Sequence, residues 1–187
     1  MMCKTSTIRW KKPQIKLIKP SKLKAFFVAL SMKNLIEKFY TAFSNQDAET
    51  MAECYHKDIE FTDPAFGTLK GERAKDMWRM LCNAQKGKKF IVTSSNIEAD
   101  EDKGKANWEA IYNFSKTGRK VHNKIKAEFE FKDGLIIKHV DTFDLHKWSK
   151  QALGFKGVLI GGTGFFKKKL QQQTNHLLDK FQSNLSG

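Results

Sequence analysis

The sequence predicts an α+β fold: helices in the first half, an antiparallel sheet in the second, and one more helix at the end. Three observations predict it. From Met32 to about residue 85 apolar residues recur at three- and four-residue steps, the period of one helix face. After Gly87 the apolar period shortens to two, the period of a strand. Thr117-Gly118 and Asp133-Gly134 then separate long alternating runs, and both pairs have the chemistry of tight hairpin turns.

The elements follow in order. Leu35, Ile36, Phe39, Tyr40 and Phe43 form one apolar stripe on a helix that starts at Met32. Ser44-Asn45-Gln46-Asp47 interrupts it, and Asp47 is placed to cap a second helix through Met51, Ala52 and Tyr55. Residues 59–63 alternate as a short strand, which Pro64 ends. Gly67 and Gly71 bracket a turn. Residues 72–85 form a third helix, with Ala74, Met77, Trp78 and Leu81 on one face. Residues 88–99, 105–115, 119–132 and 135–145 read as four strands. In the third of these, Val121, Ile125, Ala127, Phe129 and Phe131 share the buried face. His122, Lys124, Lys126, Glu128 and Glu130 share the other, which meets water, the C-terminal helix or a second copy. In the last strand Leu135, Ile137, Phe143 and Leu145 mark the buried parity, and His139 and Asp141 fall on it. A short helix at 146–152 leads to a Gly-rich apolar link from Gly154 to Gly164. A final amphipathic helix at 165–183 keeps Phe166, Leu170, Thr174, Leu177 and Phe181 in register.

Composition bounds the function classes. A chain of 187 residues buries roughly 70% of its unfolded surface, so it needs neither disulfide nor metal to fold. Cys3, Cys54 and Cys82 are an odd number without CxxC spacing, which fits a reducing compartment; the expected location is cytoplasmic. No His or Cys set has metal-ligand spacing, and no phosphate-cradle or dinucleotide motif occurs. The expected cofactor and metal content is therefore none. The net charge is +14, but residues 1–31 hold eight basic residues and no acid. The remaining chain carries 26 basic and 20 acidic residues, a net of +6. Residues 1–31 are accordingly read as a basic, disordered extension outside a domain at 32–152, with 153–187 as link and C-terminal helix. Lys167-Lys168-Lys169 beside Phe165 and Phe166 has the composition of a membrane-surface helix, but is read as a solvated face. Neither nucleic acid nor membrane is expected as a partner.

Three groups of residues carry candidate chemistry, and each admits a plain structural reading. Asp63 ends a strand between Phe61, Ala65 and Phe66. An apolar setting raises a carboxyl pKa and suits a general base; a turn-initiating Asp-Pro is the other reading. His139 and Asp141 leave one strand face at i and i+2. Two ionisable groups on an apolar face need a ligand or each other. Trp78, Trp108, Tyr112 and Tyr55 either line an apolar pocket or are core.

From about Lys33 to Lys147 the order of these features resembles the SnoaL-like branch of the nuclear transport factor 2-like superfamily, which includes ketosteroid isomerase and polyketide cyclases. The residues that carry the resemblance are Asn45-Gln46-Asp47, the run Tyr55 to Pro64, Gly67 to Gly71, Asp133-Gly134-Leu135-Ile136, and Lys138-His139-Val140-Asp141-Thr142-Phe143-Asp144. The resemblance implies a curved antiparallel sheet wrapped on the N-terminal helices, a cone with one cavity, and a homodimer. In it Asp63 matches the general-base Asp of ketosteroid isomerase, and Tyr55 a tyrosine of that enzyme's hydrogen-bond network. Phe39 stands where its oxyanion-hole tyrosine would be, with Tyr40 one residue off. Ala127, or Glu128 on the outer parity, stands where its second donor would be. Steroid isomerisation is therefore not expected. His139 and Asp141 match the His/Asp pair of the polyketide-cyclase-like members.

The expected function is binding of a small apolar molecule, with isomerase, cyclase or hydratase chemistry by proton transfer. Asp141 would be the base, His139 its orienting partner, and Asp63 a second carboxyl. Tyr40, Tyr55, Trp78, Trp108 and Tyr112 would hold the ligand. The alternative is a non-catalytic binding or interaction module of the same fold.

Overall fold

The computed structural model describes residues 19–185. Residues 1–18, with Cys3 and much of the basic segment, lie outside the described residues. Helix α1 runs Pro20–Ser44, α2 Ala48–Glu53, and strands β1 Tyr55–Asp63 and β2 Gly67–Lys70 follow. Helix α3 spans Glu72–Gln85, then come β3 Ile91–Ala99, β4 Lys103–Asn113, β5 Lys120–Lys132 and β6 Leu135–Thr142. Helices α4 Leu145–Leu153, α5 Phe155–Ile160 and α6 Gly164–Leu185 end the chain.

All six strands join one curved, unclosed sheet in the order β2-β1-β6-β5-β4-β3. Neighbours are antiparallel except β1 and β6, which run parallel. A tight hairpin joins β5 to β6, where Asp133 (φ 53°) and Gly134 (φ 76°) both take positive φ, as a two-residue turn matched to strand twist requires; β4 and β5 are joined by the six residues 114–119 rather than by a tight turn at Thr117-Gly118. The main core lies between α1–α3 and the inner sheet face, and includes Ile36, Phe39, Phe43, Met51, Ile59, Met77 and Phe129. A second cluster joins Val121, Trp148, Ala152 and Phe166, where α4 and the start of α6 pack on β5.

Several boundaries differ from the sequence expectation. Helix α1 starts at Pro20, upstream of Met32, because Pro sits at a first-turn position where its missing N–H costs nothing. Its buried side chains nevertheless begin at Met32, and Leu23, Phe26, Phe27 and Leu30 are exposed. Asp47 caps α2 as expected, accepting from the Thr50 N–H at 3.0 Å. Tyr55, read as helical, instead opens β1, where pairing with Ile136 of β6 fixes an extended backbone. Residues between Gly67 and Gly71 form a strand rather than a turn; the turn is Pro64–Phe66, and Asp63 pairs with Gly67. The Gly-rich link contains helix α5.

The last strand has a mixed parity. Ile136, His139 and Asp141 are buried, while Leu135 and Ile137 are only partly so. A bulge causes this: the β5–β6 register steps from Glu130↔Lys138 to Phe131↔Ile136, so the extra residue flips the faces. The C-terminal helix does not cover the outer sheet face. It packs on α3 and on the Pro64–Phe66 turn, where Gln171, Thr174 and Asn175 donate to the carbonyls of Pro64, Ala65 and Phe66.

Candidate functional site

Four elements bring one polar chain into the apolar core. Strand β6 presents His139 and Asp141 on its inner face, β1 presents Tyr55, α3 presents Trp78 and β4 presents Trp108. Ala127 is the β5 partner of Asp141, and its small side chain lets the Trp108 indole reach across that strand. The Trp78 Nε1–H donates to the Tyr55 hydroxyl oxygen at 2.9 Å. Tyr55 and His139 Nδ1 are 2.6 Å apart. His139 Nε2 and Trp108 Nε1 each lie 3.0 Å from Asp141 Oδ1. His139 is fully buried, edge-on to Phe39 and Phe61 and 4.4 Å from the Phe129 ring centroid.

The Trp78 indole sets the direction of this chain. Indole nitrogen only donates, so Tyr55 accepts from Trp78 and turns its own O–H to His139 Nδ1. Nδ1 is then the acceptor, and Nε2 carries the hydrogen and donates to Asp141. Oδ1 accepts from both His139 and Trp108. With Tyr55 donating to Nδ1 and the Nε2–H donating to Asp141, each proton of the chain has an acceptor.

Asp141 and Asp63 reach the same cavity, which has a volume of about 530 Å³. Its wall is mainly apolar and includes Phe61, Trp78, Trp108, Tyr112, Trp148 and Phe181. Asp63 is half-buried there, with Oδ1 accepting the N–H groups of Ala65 at 2.9 Å and Phe66 at 2.5 Å. Burial pushes its carboxyl up to about 7, and the charge of Asp141 pushes the same way; the two N–H donors oppose the rise. Among the described residues no group of three or more His, Cys, Asp or Glu side chains is placed to hold a metal ion.

The sequence candidates divide into two layers. Asp63, Asp141, Trp78, Trp108 and Tyr112 line the cavity, while Tyr40, Tyr55 and His139 lie behind its wall. Tyr40 is 2% exposed and its hydroxyl has no hydrogen-bond partner among the described residues. Burial first, then the charge of Asp141, holds that phenol well above its usual range. The sequence reading missed one whole wall: Leu170, Gln173, Thr174, Leu177 and Phe181 of α6 also face the cavity. The signal was the amphipathic register of 165–183, which marks the face but not what it meets. Arg73 of α3 secures that wall, bonding Gln182 at 2.6 Å, Asn175 at 3.0 Å and Asp179 at 2.7 Å.

Solved structures share this fold at low identity. An epoxide hydrolase of the LEH-like kind from M. tuberculosis is 23% identical with a TM-score of 0.52, covering 71% of this chain and 92% of that one. An NTF2-like protein of unknown function from Burkholderia pseudomallei K96243 gives 14% and 0.57, covering 66% and 98%. TerC, co-crystallised with polyporic acid, gives 16% and 0.52, covering 61% and 92%. No curated protein sequence matches the chain. The sequence profile of the SnoaL-like domain matches residues 36–139, more than half of the chain and all of the sheet up to His139. Sequence profile and architecture agree: the chain belongs to the SnoaL-like family.

Proposed function

We propose that the protein binds a small, mainly apolar molecule in this cavity and moves a proton on it, as an isomerase, cyclase or hydratase does. One observation carries the reading: two carboxyls, Asp63 and Asp141, line a single apolar cavity, and burial lifts Asp63 to about 7. Near neutral pH Asp63 is then shared between acid and base forms, which suits a proton donor. Asp141 is the base. His139 and Trp108 hold its Oδ1, which leaves the second carboxyl oxygen for the ligand. His139 acts through Asp141 as a positioning residue. Trp78, Trp108 and Tyr112 hold the apolar body of the ligand.

A second reading is binding without chemistry. It is favoured by the backbone bonds of Asp63, which make its carboxyl a loop cap. The two readings separate on one experiment. Native mass spectrometry of the protein after incubation with a metabolite extract identifies the bound molecule, and its conversion is followed with wild type and Asp141→Asn. Proton transfer by Asp141 predicts a loss of about 100-fold or more in turnover with the fold intact. A molecule captured and left unchanged by both proteins would establish the binding module instead.

A further inference from the structure

Helix α5 is held against α4 at a distance only glycine permits. A Cβ on Gly157 would stand 1.9 Å from the Ser149 carbonyl oxygen, and one on Gly161 1.6 Å from Ser149 Oγ. The Ser149 hydroxyl lies 3.0 Å from the Gly157 carbonyl oxygen, and His146 Nε2 3.0 Å from that of Val158. This tight corner supports a helix whose outward side is apolar. Phe155 is 76% exposed, Leu159 64%, and Val158 and Ile160 are exposed beside them. Phe165, at the start of α6, is 72% exposed.

The charged residues that flank the ridge in sequence are all basic. Between Asp144 and Asp179 the sequence holds six lysines and no acid. Lys156 adjoins Phe155, and Lys167, Lys168 and Lys169 follow Phe165; all four are exposed. Lys169 Nζ lies 5.8 Å from the Phe165 ring centroid.

We propose that the α5 ridge and the first turn of α6 dock on the surface of an anionic phospholipid bilayer. Phe155, Leu159 and Phe165 would enter the interfacial region, and the lysines would meet headgroup phosphates. Charge complementarity selects this occupant. A nucleic acid engages the lysines but leaves the aliphatic ridge in water. A second copy brings its own lysines against these, with no acid in the segment to meet them. A bilayer interface satisfies both the apolar ridge and its basic rim. The docking proposal does not rest on proton transfer in the cavity, although Trp148 of α4 and Leu170 of α6 line the cavity and also pack with Phe166 at the start of α6.

The test is co-sedimentation of the full chain with vesicles of phosphatidylcholine, alone or containing about one-third phosphatidylglycerol. Binding is expected to the mixed vesicles and to weaken as salt rises. The double variant Phe155→Ser/Leu159→Ser should lose about tenfold or more of the affinity, since each side chain is largely buried on docking. Its thermal midpoint should match wild type, because both side chains are mostly exposed in the fold. Lys167→Gln/Lys168→Gln should weaken binding to mixed vesicles only. Failure to bind mixed vesicles, or binding that survives the serine pair, overturns the proposal. So does duplex DNA binding that the serine pair leaves intact while vesicles stay unbound. Self-association abolished by the serine pair would overturn it in favour of a second copy.

Discussion

Asp63→Asn should make the protein more stable at alkaline pH and leave it unchanged in acid. The folded state binds the Asp63 proton more tightly than the unfolded chain does, because burial lifts its pKa from 3.8 to about 7. At about 1.4 kcal/mol per tenfold change in proton affinity, that displacement is worth about 4 kcal/mol. Below pH 3.8 both states are protonated and there is no penalty. As pH rises from 3.8 to 7 the unfolded chain ionises first, and the penalty grows to its full value. Partial contact with water lets the site relax, so about 2–4 kcal/mol is the expected range. Asparagine keeps the carbonyl oxygen that accepts from Ala65 and Phe66, so the loop cap survives while the buried charge does not. The assay is urea unfolding of both proteins from pH 4 to 8, read as their difference so that other titrating groups cancel. The variant should gain stability from pH 4 to about 7 and level off above it. Asp141→Asn should move the Asp63 pKa down, because its charge helps to raise it. A wild-type-minus-variant difference that is flat with pH would refute the buried-carboxyl argument, and with it the acid role of Asp63.

Three further outcomes follow from named contacts. Gly157→Ala must push α5 away from the rigid Ser149 carbonyl, which costs roughly 1–3 kcal/mol; a drop of several degrees in the thermal midpoint is expected, and an unchanged midpoint would show the corner is not tightly packed. A protein beginning at Met32 should keep its midpoint within a few degrees, since the buried side chains of α1 start at Met32; a large fall would show that the upstream turns pack on the domain. The outer sheet face carries Lys124 and Glu109 paired at 3.0 Å, and Lys138 and Glu130 at 3.0 Å, a mixed-charge surface that a two-fold partner can complement. Light scattering is expected to return twice 21.5 kDa, and a clean monomer would count against the homodimer that the family resemblance implies.

Local chemistry made much of this protein legible in its sequence. The boundaries of α3 follow from apolar spacing after Gly71, and the hairpin at Asp133-Gly134 from the positive φ those residues tolerate. The i, i+2 spacing of His139 and Asp141 was enough to put both on one face. Long-range contacts decided the rest. Periodicity carries no information on which strands become neighbours, so the parallel pairing of β1 with β6, which brings Tyr55 to His139, came only with the tertiary structure. The bulge opposite Phe131 was equally invisible, because an unpaired residue is defined by its partner strand. It makes Ile136 rather than Leu135 or Ile137 the buried neighbour. An amphipathic helix announces that it has an inner face but not what that face covers, so the part of α6 in walling the cavity could not be read from Leu170, Leu177 and Phe181 alone. The apolar ridge of α5 shows the same limit from the other side. Its composition suits core and surface equally, and only the crossing of α5 against Ser149, set by Gly157 and Gly161, turns Phe155 and Leu159 outward.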